Sequence, residues 1–232
     1  MPGALAEKGF FDALMGGNAQ SKAFWPHVLR FNEHPLPARA QTDAAWFSPA
    51  LDAWLSQVPD SLREPPSSAS KPAFFWDFQE DSRKLALLDD SRLELLAKVS
   101  GVTLHAREMA KIVEREARLA LTEVLGKKLV EYALARGQYQ TGAAGAIVDQ
   151  LHTDLPLVER CRLHGWLALH LCASRWPELL RERFVQRLSG MCHEVSYPGD
   201  VLAETDWQAL WRMLKKCLLR EVAPSWAAYF TV

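Results

Sequence analysis

Apolar residues recur through the middle of this chain at the i, i+3, i+4, i+7 spacing of a helix that buries one face. The clearest run is Ala106, Met109, Ala110, Val113, Ala117, Ala120, Leu121 and Val124. It predicts a long helix from about Leu104 to Leu125, with Thr103 as its cap. Ahead of it the pattern predicts a short helix over Arg83 to Leu88. A second helix opens at a Ser91/Glu94 capping box and stops at Gly101. Gly126 predicts a break, and Leu129, Tyr132 and Ala133 carry the next helix to Gly137. After a small-residue turn over Gly137 to Ala146, Asp154-Leu-Pro156 opens an apolar helix to about Ala173. Pro177 opens another, with Leu180, Phe184 and Leu188 on one face. Gly190 to Glu204 reads as a loop with a turn at Pro198-Gly199-Asp200. A last helix runs from a Thr205/Gln208 capping box to about Val222, with Leu210, Met213, Leu214, Cys217 and Leu218 as its inner stripe. Strand alternation and internal repeats are absent from the pattern.

The N-terminal third reads differently. Residues 1–22 are small and polar and predict a mobile arm. Phe24 to Pro37 carries Phe24, Trp25, Pro26, Phe31, Pro35 and Pro37, too many prolines for a continuous helix. It predicts an extended segment wrapped over the domain and pinned by Trp25, Leu29 and Phe31. Ser48-Pro49 starts a helix that Pro59 ends, and residues 60–72 form a Pro/Ser-rich surface loop. Phe74, Phe75, Trp76 and Phe78 follow. The expected fold class is all-α, a compact irregular multi-helix domain over 23–232 with a proline- and aromatic-rich wrapping segment. Residues 23–140 and 146–232 are its candidate sub-lobes.

Composition narrows the class of function. The 232 residues are 49% hydrophobic and 24% charged, too rich in core residues for a disordered chain. The formal net charge of −1 argues against a nucleic-acid reader, which would carry a basic stripe. Nine tryptophans and ten phenylalanines exceed what the core needs and suggest aromatic anchors for protein contacts. The four cysteines fall in apolar helical runs and read as free buried thiols in a reducing compartment. With no signal segment and no membrane-length apolar run, the chain is expected in the cytoplasm, without direct membrane insertion.

The search for chemistry returns packing at each candidate. Cys161, His164 and Cys172 share a helix, but a structural zinc site needs a fourth ligand, and Trp166, Leu167 and Leu171 surround them. His193-Glu194 lacks the second histidine of a zinc-protease helix, since Tyr197 stands in its place. Gly137 and Gly142 have phosphate-loop spacing, but Ala143-Ala144 replaces the Lys-Ser/Thr. Asp89-Asp90 could be paired carboxylates. Adjacent helical residues point apart, however, so helix capping is the better account. No catalytic residue, metal or cofactor is expected.

Leu29-Arg30-Phe31-Asn32 with Pro35, Arg83-Lys-Leu-Ala-Leu-Leu-Asp89, Leu93, Leu96, Gly101 and the helical block to Tyr132-Ala-Leu134 resemble the SctK family (YscK/OrgA/MxiK type) of type III secretion accessory proteins. The resemblance covers residues 28 to 140 and departs at Pro37-Ala-Arg39. It implies a non-enzymatic cytoplasmic adaptor of the bacterial secretion sorting platform. Such an adaptor bridges the cytoplasmic domain of an SctD-like inner-membrane ring protein and an SctQ-like pod protein, and through the latter the export ATPase. Candidate partner-binding residues are Trp25, Arg30, Phe31, Trp76, Arg83 and Trp226, and the isolated protein is expected to be a monomer. Two other readings stay open. One is a helical regulator or DNA-binding protein with a helix-turn-helix over 91–125. The other is a small helical enzyme using His164, His170 or Asp89-Asp90.

If Trp25 and Phe31 pin the N-terminal segment, Trp25→Ala or Phe31→Ala costs about a few kcal/mol and lowers the melting temperature. An unchanged melting temperature identifies an exposed residue instead.

Overall fold

The computed structural model describes His27, Phe78, residues 80–193, Val195 and residues 202–230. Of the described region 79% is helical and none is strand, so the fold is all-α as the pattern predicts. The readings placed on 1–22, Phe24 to Pro37, Ser48 to Pro59, 60–72 and Phe74 to Trp76, and the turn at Pro198-Gly199-Asp200, lie outside the described residues. No helix among the described residues is long and apolar enough to cross a membrane.

The chain divides into two compact units, residues 1–88 with 228–232, and residues 89–227. In the first, Asp81–Leu87 forms a 3-10 helix that buries Leu85, Ala86 and Leu87. Lys84 joins the two stretches of chain in this unit. Its ammonium meets Asp81 Oδ1 at 2.5 Å and donates to the Tyr229 carbonyl at 2.6 Å, and it lies 5.3 Å from the centre of the Phe230 ring.

The second unit is built on two helices, α1 (Asp90–Leu104) and α5 (Leu157–Cys172). Asp89, not Ser91, caps α1, and its carboxylate accepts from the Arg92 N–H at 2.9 Å. The Ser91 hydroxyl donates to the same carboxylate at 2.6 Å, which places Ser91 inside the first turn. Gly101 does not stop the helix. It sits in the interior because α5 crosses there. A Cβ on Gly101 would lie 1.9 Å from the Cys161 carbonyl oxygen, and one on Gly165 would lie 2.0 Å from the Ala97 carbonyl oxygen. Backbones that close require glycine on both helices, and the flanking Ala97, Cys161 and Ala168 are buried and small.

Between these helices lie α2 (Ala106–Lys111), α3 (Arg115–Leu125) and α4 (Lys127–Tyr132). The single helix expected from Leu104 to Leu125 is therefore interrupted at residues 112–114. The Arg118 Nε–H donates to the Ile112 carbonyl at 2.7 Å and satisfies the backbone acceptor that the break frees. Ala106, Met109 and Leu121 of the predicted stripe pack into one cluster with Val102, Val130 and Cys161. Val113 and Val124 stay 83% and 66% exposed, so the stripe does not all face the core. Gly126, at φ 88°, separates α3 from α4 as its position suggests.

α4 runs on through a π-helical turn, Ala133–Gly137, into Gln138–Gln140. A short helix, Gly145–Val148, precedes α5. Pro177 precedes α6 (Glu178–Met191), which buries Leu180, Phe184 and Leu188 completely, as predicted. α7 (Glu204–Cys217) continues as a second π-helical turn, Leu218–Val222, with the whole predicted inner stripe buried. It starts at Glu204, to whose carboxylate the Gln208 amide donates at 2.7 Å, so the Thr205 capping box does not form. Trp207 ties α7 to the end of α5 by donating to the Cys172 carbonyl at 2.8 Å. An Arg175–Glu204 ion pair lies nearby.

Gly101→Ala and Gly165→Ala are each expected to destabilise by about 3 kcal/mol, the upper part of the range for overpacking, although alanine is the better helix former by about 1 kcal/mol. Gly190→Ala, in a helix with open space around it, should be neutral or stabilising. Urea denaturation of the three variants checks this ordering.

Candidate functional site

The face of the second unit between α1, α3, α4, α5 and α6 carries a groove of about 820 Å3. Val102, Leu125, Leu129, Val158 and Trp166 give it an apolar lining, and Val124 stands exposed at its lip. Charged residues on the rim pair with each other. Lys98 meets Glu94 at 2.7 Å and Arg162 meets Glu159 at 2.9 Å. Exposed pairs of this kind contribute only about 0–1 kcal/mol each, so the rim adds solubility more than stability. The Cys161 thiol on the wall is pushed up to about 12, chiefly by burial, and stays protonated and unreactive. A surface of this character receives apolar side chains, such as the i, i+3, i+4, i+7 anchors of a partner helix.

The other side of α5 carries a different group, a row of three histidines. His105, at the junction of α1 and α2, places Nε2 2.8 Å from His164 Nδ1. His164 Nε2 lies 3.0 Å from His152 Nδ1. His105 Nδ1 faces Glu108 at 3.5 Å, and Arg160 grips the same carboxylate through both guanidinium nitrogens, at 2.5 and 2.9 Å. One tautomer set, inferred from these contacts, satisfies the row with every ring neutral. Each Nδ1–H donates, from His152 to His164 to His105 to Glu108, and each inner Nε2 accepts. His152 reaches its place through a φ of 52°, the sole positive value at a non-glycine among the described residues.

Burial sets the charge state of His164 and His105. It lowers His164 to about 4, with His105, His152 and Arg160 adding to the effect. Burial, then Arg160, lowers His105 against the opposing pull of Glu108. Glu108 itself is held below the carboxylate range by Arg160 despite the burial that opposes it. His170, also on α5, is fully buried, lowered to about 4 by burial, and has no hydrogen-bond partner at either nitrogen among the described residues.

The residues singled out from the sequence do not converge. Trp25, Arg30, Phe31 and Trp76 lie outside the described residues. Arg83 is half-buried and paired with Glu80 at 3.0 Å. Trp226 is 3% exposed, a core side chain where an exposed anchor was expected. Asp89 is a helix cap, and Asp90 meets Arg187 of α6 at 2.5 Å. His164 and His170 line neither the groove nor the cationic cleft described below. Cys161, His164 and Cys172 do not assemble, because His164 directs both nitrogens at other histidines. Among the described residues no set of three or more His, Cys, Asp or Glu side chains could hold a metal ion. Sequence reasoning missed His105 and His152, since their 47-residue separation leaves no local signature. It also missed the groove, whose lining comes from five helices and leaves no local spacing to read.

Neither the family models, the curated proteins nor the solved structures contain a match to this chain.

His164 and His170 give the protein a pH-dependent stability. Their folded-state values lie below that of an exposed imidazole, so on acidification the unfolded chain takes up protons first. Stability is full above about pH 6.5 and declines as pH falls, and the decline ends near pH 4, where the folded form protonates too. The melting temperature is expected to drop by several degrees between pH 7 and pH 5, and His170→Leu should shrink that drop.

Proposed function

We propose that this chain is a non-enzymatic adaptor that seats an apolar segment of a partner protein in the groove beside α3 and α5. The observation that carries the protein-binding part is the groove itself, with Trp166 at its wall and Val124 exposed at its lip. The resemblance of residues 28 to 140 to the SctK family supports the assembly in which it works, a bacterial type III secretion sorting platform. There it links an SctD-like ring protein to an SctQ-like pod protein, in the cytoplasm and held at the inner membrane through those partners. Of the residues that carry the resemblance, Leu85, Leu87, Leu88, Leu93, Leu96 and Gly101 are buried. The shared feature is therefore core spacing, and it speaks for a common fold.

Purified protein should retain SctQ-like or SctD-like partners in a pull-down, and Val124→Glu should weaken that retention at least about tenfold, an effect of about 1.4 kcal/mol. The same exposed substitution should leave stability within about 0.5 kcal/mol. Failure to bind either partner removes the secretion reading. Binding that Val124→Glu leaves intact removes the groove.

A further inference from the structure

On the second unit the two π-helical turns face one cleft of about 570 Å3. Ala135 and Arg136 come from the turn after α4, and Arg220 and Glu221 from the turn after α7. The wide turns are defined by bonds to carbonyls five residues back, from Gln138 to Ala133 and from Ala223 to Leu218, the latter at 2.7 Å. Such turns are rare and gather at functional sites, because the extra residue redirects the side chains that follow. Two of them bordering one cleft give a reason to read it as a site.

The charge of the cleft says what it would take. Arg136, Lys216 and Arg220 line it against a single carboxylate, Glu221, which Arg136 meets at 3.2 Å. Lys216 and Arg220, one turn apart and both exposed, have no side-chain partner among the described residues. Tyr139 stands 78% exposed on the same cleft and offers a flat ring with a hydroxyl. The base is rigid. The Tyr132 hydroxyl lies 2.8 Å from Thr103 Oγ1 and 3.7 Å from Cys217 Sγ and donates to Gln140 Oε1 at 3.1 Å, which ties the two walls together before any ligand arrives.

We propose that this cleft binds a carboxylate-rich segment of a partner protein, with Lys216 and Arg220 pairing its acidic side chains and Tyr139 packing on its backbone or an apolar neighbour. Glu221 on the wall and a net charge of −1 for the chain count against a polyphosphate or a nucleic acid, which need a denser cationic surface. The proposal concerns a different surface from the apolar groove and holds whether or not the partner belongs to a secretion platform.

The test is a selection of random dodecapeptides displayed on phage against the full chain, followed by anisotropy with the enriched peptide labelled with fluorescein. Enriched sequences should be clustered in Asp and Glu, and their binding should weaken with salt. The double variant Lys216→Glu/Arg220→Glu should weaken the labelled peptide at least about tenfold. The same charge change at Lys111 and Lys128, outside the cleft, should leave it within about twofold. Melting temperatures of both double variants verify folding, and Tyr139→Ala gives a second, charge-neutral probe of the same surface. Enrichment of sequences no more acidic than the library, or equal weakening in the two double variants, overturns the proposal. So does binding of a single-stranded oligonucleotide or inorganic phosphate through Lys216 and Arg220 where acidic peptides do not bind. The selection contains no secretion component, so its outcome is separate from that of the pull-down.

Discussion

Gly101 and Gly165 bring the backbones of α1 and α5 so close that a methyl group on either has no room. The rest of the second unit follows from that crossing. With no side chains to hold them apart, the two helices make a thin centre, and α2, α4 and α7 close around it with buried residues such as Met109, Val130, Leu210 and Leu214. α5 is then covered along most of its length, which explains why every residue from Cys161 to Cys172 except Arg162 is buried. Tight helix contact is a packing solution that leaves little tolerance, since displacement of one helix moves everything seated on it.

The same crossing sorts the polar residues. His164 lies one residue before the glycine contact and meets His105 at the end of α1 and His152, so a row that is buried at His105 and His164 and reaches the surface at His152 is satisfied together with the Glu108–Arg160 pair. Tyr132, Thr103, Gln140 and Cys217 form a second buried polar set, one that joins α1, α4 and α7. Burial pushes the Tyr132 hydroxyl and the Cys217 thiol up, so both remain neutral donors at physiological pH. These networks fix orientation more than they add net stability, because each bond replaces one to water. His170 is the exception, buried without that compensation, and it makes the core sensitive to acid.

Two surfaces of opposite character result. The groove is apolar, with a rim whose charges cancel in pairs, and suits side chains that seek to leave water. The cleft between the π turns is cationic, with two side chains that have no partner among the described residues, a charge that would complement carboxylates. On the proposed adaptor role two partners would need two separable surfaces, and the difference in charge would keep them from competing for the same ligand. The Cys161 thiol on the groove wall is held protonated by burial.

Local patterns in the sequence determined the all-α class, the breaks at Gly126 and Pro177, and the buried stripes of α6 and α7, because these depend on residues three or four apart. Asp89 was legible as a cap for the same reason. The sequence misled wherever a distant residue decided the outcome. Gly101 has the look of a helix stop until α5 lies across it, and the Ala106-to-Val124 stripe has the look of one helix until Arg118 supplies the hydrogen bond that a break at Ile112 needs. The histidine row and both surfaces are assembled from residues far apart along the chain, so no local spacing records them. Tertiary packing alone decided those, since it sets which apolar faces find a partner helix and which are left exposed.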